Sequence, residues 1–198
     1  MKRILVLLSI LVLAGIAGIY WWKAGEVTEF QAATVFGEQA RPLPAFSLTR
    51  HDGEALKPED FHGHWSLLFF GYSNCPDICS PSMQQLTTAL QTLGKEQARI
   101  VFVSVDSERD SPEALSRYVS YFHPGTLGAT GEAEAIADFA KQLGAFYSKR
   151  PLATGYLVDH SGSAWLIDPE ARLVGVFTPP LAPKAIAADL RTLIDLGQ

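Results

Sequence analysis

Cysteine and methionine are both scarce in this chain, and each scarcity narrows what it can be. Of 198 residues, two are cysteine, Cys75 and Cys79, and two are methionine. Apart from Met1 there is only Met83, on the apolar face of an expected helix, so a methionine-rich metal site is excluded. No basic cluster is present either. Without Lys2, Arg3 and Lys23, 13 basic residues face 21 acidic ones, a net charge of −8 over residues 24–198. A domain that acidic, with no basic patch, is not a nucleic-acid binder. There is no internal repeat and no low-complexity stretch.

Charge is missing altogether from Ile4 to Trp22, after Lys2-Arg3. As a helix this run spans roughly 28 Å, close to the ~30 Å hydrocarbon core of a bilayer. Tyr20-Trp21-Trp22 then supplies an aromatic anchor at the far interface, and Lys23 closes the segment. The reading is a single-pass anchor over residues 1–23 in a bacterial inner membrane, with the rest of the chain facing the periplasm. A cleaved signal peptide is the alternative, since Gly15-Ile16-Ala17 resembles a small-x-small cleavage site. Cleavage there would leave a greasy terminus at Gly18-Ile-Tyr-Trp-Trp, which favours the anchor. No cysteine follows the run, against a lipoprotein, and no Arg- and Ser-rich leader precedes it, against an organelle. The compartment is oxidising, so a free dithiol persists there only if it is kept reduced or metallated.

Residues 24–41 are polar, weakly periodic and end at Arg41-Pro42-Leu43-Pro44, as a linker would; residues 42–198 form one domain. Within it Asp52-Gly53 signals a hairpin. Trp65-Ser-Leu-Leu-Phe-Phe70 is a short continuous apolar run, expected as a strand covered on both faces. After the cysteines, Ser80-Pro81 offers an N-cap and a first-turn proline, and Met83, Leu86, Leu90 and Leu93 recur at helical spacing up to Gly94. Arg99 to Asp106 reads as a second core strand, and Ser111-Pro112 caps another helix burying Leu115, Tyr118, Val119 and Phe122. A third helix runs from Ala133 to Leu143 and stops at Gly144. Tyr156-Leu-Val, Ala164-Trp-Leu-Ile and Leu173-Val-Gly-Val-Phe read as strands, the last two joined by the turn Asp168–Ala171, before a closing helix from Lys184 to Leu196. This order implies an α/β fold, a central mixed sheet with helices on both faces. Reactive groups at the carboxyl end of the first core strand suit a thioredoxin-like fold.

Those groups are the two thiols of Gly71-Tyr-Ser-Asn-Cys75-Pro-Asp-Ile-Cys79. They fall where a helix begins, and its positive end favours thiolate, the form that attacks disulfides and binds metals. A bracing disulfide is the plain alternative. It would close a loop of about five residues and contribute roughly 2 kcal/mol, against about 5 for a hundred-residue loop, so it is a poor staple. The three-residue insert opens the pair relative to C-x-x-C, which leaves room for a metal and a third ligand.

Cys75-Pro-Asp-Ile-Cys79, Ser104-Val-Asp-Ser-Glu-Arg-Asp-Ser-Pro112 and Tyr156-Leu-Val-Asp-His-Ser161 together resemble the Sco/SenC family over roughly residues 40–198. These are membrane-anchored, thioredoxin-like copper proteins of cytochrome c oxidase assembly. The resemblance implies copper ligands Cys75, Cys79 and His160, and a copper-receiving oxidase subunit as partner, alongside another envelope copper carrier or thiol reductase. Soft thiolates select Cu(I), and imidazole suits copper in either state, Cu(II) included. The departures are Asn74, where the family often has His; Ser80, between Cys79 and the proline; and Ser107, in place of a common proline. None removes a ligand.

The other histidines read as surface residues: His51 beside a turn, His62 and His64 flanking Gly63, His123 before Pro124. Asp159 is a candidate partner for the imidazole, and Asp77 for the helix N-terminus. Asp106, Glu108 and Asp110 read as a solvated loop leading into a helix rather than a hard-metal site. Two functions share the dithiol: a copper metallochaperone, and a thiol–disulfide oxidoreductase that reduces the cysteines of the oxidase copper site. His160 separates them, since thiol exchange needs no imidazole ligand. A peroxiredoxin-like peroxidase is disfavoured because Tyr72, not threonine, stands three before Cys75, and a bare interaction module leaves the Cys/His set without a role.

Overall fold

A seven-residue strand with every residue buried, β5 (Trp65–Gly71), is the axis of the molecule. The computed structural model describes residues 29–94 and 98–197, with Gly15 besides. Apart from Gly15, the expected anchor lies outside the described residues, among which no helix is long and apolar enough to cross a membrane.

Strand β5 pairs in parallel with β6 (Ala98–Ser104), and β6 in parallel with β7 (Leu127–Thr130). Antiparallel strands flank these three. On one side lie β10 (Ala164–Ile167), β11 (Arg172–Phe177) and β1 (Ala33–Val35), with β2 (Arg41–Pro42) also on β11. On the other lie β3 (Leu48–Arg50) and β4 (Ala55–Leu56), the hairpin expected at Asp52-Gly53. The sheet order is therefore β1-β11-β10-β5-β6-β7-β3-β4. The centre is apolar on both faces because helices cover both. Phe69 and Gly71 face the side where α1 (Cys79–Leu93) begins, and Phe70 faces the other, against Phe139 of α3 (Ala133–Leu143). Helix α2 (Pro112–Val119) packs on β7, and α4 (Pro183–Leu196) on α1.

The helix stops follow their sequence signals. Gly94 and Gly144 sit in the left-handed conformation with φ of 65° and 75°, where a Cβ would be strained, and each returns its N–H to the last turn. Ser111 caps α2 by accepting a hydrogen bond from the Ala114 N–H.

Three expectations change. The stretch read as a linker over 24–41 contains β1 and part of β2, both paired with β11. Buried Asp189 of α4 fastens it by accepting from the backbone N–H groups of Gln31, Ala32 and Ala33, a long-range tie with no local pattern. Helix α1 starts at Cys79 after Ile78, not after Ser80, so Ser80 and Pro81 are its second and third residues. Pro81 is tolerated there because the first four N–H groups of a helix have no acceptor in it. Finally, Tyr156–Val158 is not in the central sheet. It belongs to β9 (Tyr156–His160), which pairs only with β8 (Tyr147–Pro151) in a two-stranded ribbon. Of β9 only Val158 is buried, and β8, Tyr-Ser-Lys-Arg-Pro, is almost wholly exposed and lacks an apolar signal.

Candidate metal centre

The chain leaves β5 at Gly71, and glycine is required there. A Cβ would lie 2.9 Å from Cys79 Sγ and 2.9 Å from the Phe102 ring. Tyr72, Ser73 and Asn74 then carry the backbone round to Cys75, which is partly exposed, while Cys79 in the first turn of α1 is fully buried. Both are free thiols. His160 arrives from the ribbon, as the last residue of β9 rather than in the loop after it.

These three side chains converge. His160 Nε2 lies 3.0 Å from Cys79 Sγ and 3.8 Å from Cys75 Sγ, and the three atoms all fall within 4.8 Å of one another. The Phe69 and Tyr72 rings stand edge-on to the imidazole, each with its centroid 5.9 Å away. His160 Nδ1 is 3.0 Å from the Ser161 carbonyl, which only accepts, so Nδ1 carries the proton and Nε2 turns a lone pair to the thiols. That is the tautomer a metal ligand needs. Burial lowers the His160 pKa, against the backbone carbonyls of Ser161 and Phe70 and the charge of Asp159, so the ring is neutral at pH 7. Burial also pushes the Cys79 thiol far above its ordinary value, over the opposing N–H of Tyr72. The expected helix-end activation of Cys79 is thus overridden by desolvation, and the thiol keeps its proton at neutral pH.

His51, His62, His64 and His123 lie elsewhere. His62 and His64 are exposed, and His51 accepts from the Gly128 N–H. Asp159 does not hold the imidazole; it pairs with Arg150 at 3.0 Å on the ribbon surface. Exposed Asp77 lines the cleft beside Cys75, a space of about 260 Å³ that opens onto the site.

In the acidic loop Glu108 is exposed as expected, but the loop's two aspartates are not solvated. Asp106 and Asp110 are wholly buried. Asp110 accepts from the Ser73 N–H at 2.8 Å, from the Ser73 hydroxyl and from the Ser104 hydroxyl at 2.6 Å. Asp106 accepts from Arg109 Nε and from the Tyr156 hydroxyl at 2.7 Å. Carboxylates buried behind the cysteine loop are supporting residues that the sequence does not expose, because their partners lie up to 50 residues away.

A mixed sheet flanked by helices, with two thiols at the end of its central strand and an imidazole closing over them, defines a thioredoxin-like domain with a Cys–Cys–His cluster. The chain belongs to the SCO1/SenC family, whose model matches residues 37–195. It is 33% identical over 187 residues to the mitochondrial SCO2 homolog of Danio rerio, covering 89% of this chain and 67% of that one. It spans about half to two thirds of the length of the vertebrate relatives it matches. Two structures solved with copper bound are similar to it. Arabidopsis thaliana ScoI is 32% identical with a TM-score of 0.73, over 77% of this chain and 98% of that one. Bradyrhizobium japonicum ScoI is 32% identical with a TM-score of 0.70, over 76% of this chain and 98% of that one.

Proposed function

We propose that this chain is a copper metallochaperone that holds copper through Cys75, Cys79 and His160 and delivers it to the copper-receiving subunit of cytochrome c oxidase. The observation that carries the reading is His160 Nε2 lying 3.0 Å and 3.8 Å from the sulfurs of two free thiols. Two soft sulfur donors and one imidazole fit copper: the thiolates suit Cu(I), and the added nitrogen keeps Cu(II) within reach. The similarity to ScoI structures that hold copper supports the same cargo here. Family membership supports an oxidase as recipient, and the apolar run over residues 4–22 supports tethering in a bacterial inner membrane with the domain in the periplasm.

The burial of the ligands suggests how cargo leaves. Cys79 is sealed behind β5, whereas Cys75 borders the open cleft. A recipient thiolate reaches the metal from the Cys75 side, displaces Cys75 first, and takes the ion as Cys79 recovers its proton. The second reading, a thiol–disulfide oxidoreductase, is favoured by the two free thiols lying side by side but gives the imidazole no task.

The test has two arms: copper-loaded protein is mixed with a reduced, metal-free oxidase copper domain and copper in the recipient is followed, and metal-free, reduced protein is mixed with the oxidised recipient and its thiols are counted. A carrier loses metal to the recipient, and His160→Ala impairs that transfer strongly. Transfer undiminished in His160→Ala, or recipient thiols rising with no copper moved, would replace the carrier reading with the reductase.

A further inference from the structure

Arg109 touches none of the three candidate ligands, yet it lies between the two halves of the site. Its guanidinium carbon sits 5.3 Å from the centroid of the Tyr72 ring and 4.0 Å from that of Tyr156. Tyr72 is three residues before Cys75, and Tyr156 four before His160. The same guanidinium donates to buried Asp106 and, through Nη1, to the Tyr156 carbonyl at 3.2 Å. Around it the Tyr156 hydroxyl donates to Asp106 and to Glu108, Lys149 pairs with Glu108 at 2.6 Å, and the Val158 N–H donates to the Tyr72 hydroxyl at 3.3 Å.

This cluster matters because of what the ribbon lacks. Among the described strands β9 pairs only with β8, so no sheet ladder ties it to β5. The position of His160 against two thiols carried by the β5–α1 turn is therefore set by the three-residue link to β10, which pairs with β5, and by side chains. We infer that Arg109 is a positioning residue: clasped between Tyr72 and Tyr156 and neutralised by Asp106, it locks the β8–β9 ribbon to the end of β5 and so sets where His160 stands. A guanidinium suits the task because its flat face meets a ring while its edge donates to carboxylate and carbonyl.

The lock bears unequally on the two copper states, a consequence that rests on the copper reading above. Two thiolates alone satisfy Cu(I), whereas Cu(II) relies more on the imidazole. Loss of Arg109 should spare most Cu(I) binding and degrade the Cu(II) form.

The test uses the full chain and Arg109→Leu. In metal-free protein, amide hydrogen exchange in β9 should accelerate by about ten- to a hundredfold while β5 and β6 keep wild-type rates, the loss of a stacked cation and its charged hydrogen bonds. With Cu(II), the spectrum should lose its imidazole nitrogen hyperfine pattern while Cu(I) affinity falls by less than about tenfold. Arg109→Lys keeps a cation near the rings but cannot serve Asp106 and the Tyr156 carbonyl together, so its β9 rates should fall between the two. If Arg109→Leu does not fold, Tyr156→Phe, which removes only the hydroxyl's bonds to Asp106 and Glu108, should show the same local acceleration. Wild-type exchange in β9, or acceleration shared by β5 and β6, overturns the inference. A wild-type protein that takes up no copper defeats the carrier reading instead, and the exchange rates still decide the role of Arg109.

Discussion

Asp110, wholly buried, accepts hydrogen bonds from both the backbone N–H and the hydroxyl of Ser73, two residues before Cys75. The carboxylate also takes the Ser104 hydroxyl at the end of β6, so one side chain joins that strand end to the loop that leads from β5 to the thiols. Asp110→Ala leaves the Ser73 N–H and the Ser104 hydroxyl without that acceptor in a dry site, at about 1–3 kcal/mol for each orphaned group. The expected outcome is a loss of about 3 kcal/mol in urea unfolding and weaker copper binding as the loop loosens. Wild-type stability in Asp110→Ala would show that water replaces the carboxylate.

Replacing either cysteine with serine should abolish tight Cu(I) binding, because a hydroxyl is a hard, protonated substitute for a soft thiolate. His160→Ala should weaken copper binding by more than the ~10–100-fold typical of losing a group behind the ligands, with unfolding little changed. His62→Ala and His64→Ala, both exposed, should be neutral. Competition against a chromophoric Cu(I) chelator measures the two cysteine variants, and competition against a Cu(II) chelator measures the three histidine variants. A loss at His62 or His64 equal to that at His160 would falsify the ligand set.

The apolar runs made much of the fold legible. Trp65 to Phe70 read as a strand covered on both faces from its short, continuous, aromatic run, and Met83, Leu86, Leu90 and Leu93 as one stripe of a helix ending at Gly94. Where pairing depends on distant partners, legibility stops. β7, Leu-Gly-Ala-Thr, is too short and too plain to stand out, and β8 is polar because it forms a ribbon and never enters the core. Asp106 and Asp110 look like loop carboxylates because a sequence does not show that Ser73, Ser104, Arg109 and Tyr156 surround them. The two thiols stood out by their position after β5, and His160 followed from family resemblance. That Cys79 is sealed while Cys75 meets solvent is a property of packing alone.

Gly71 offers a test of that packing. In Gly71→Ala the new methyl carbon would lie 2.9 Å from Cys79 Sγ, 2.9 Å from the Phe102 ring and 3.1 Å from the Phe69 ring, with no flexible neighbour to yield. Overpacking of this kind costs about 1–3 kcal/mol. Because the displaced atom is a candidate ligand, copper affinity should fall as well. A core variant far from the sulfur, Leu190→Ala in α4, should lower the melting temperature without a matching loss of affinity. Equal affinity losses per degree in the two variants would mean that Gly71 matters only to stability.

Acidity should act on the metal-free fold and on copper binding in separable ways. His160 is held below its ordinary value of 6.5 by burial, so the unfolded chain takes a proton there before the folded one does. Its contribution to stability is complete above about pH 6.5 and is lost as pH falls below that value. Cys79 is held above its ordinary value of 9.0, also by burial, so the unfolded thiol ionises first, and stability is lost as pH rises past about 9. Metal-free protein should therefore be most stable between these limits, and His160→Ala should flatten the acid side alone. Copper binding follows a different rule. Between pH 7 and 8 the imidazole is already neutral while Cys79 still carries its proton, so binding releases that proton and affinity should rise about tenfold per pH unit from this group. Proton release measured by calorimetry in buffers of different ionisation heat checks the count. Copper affinity independent of pH across that range, with the fold intact, would mean that Cys79 is already a thiolate before metal arrives.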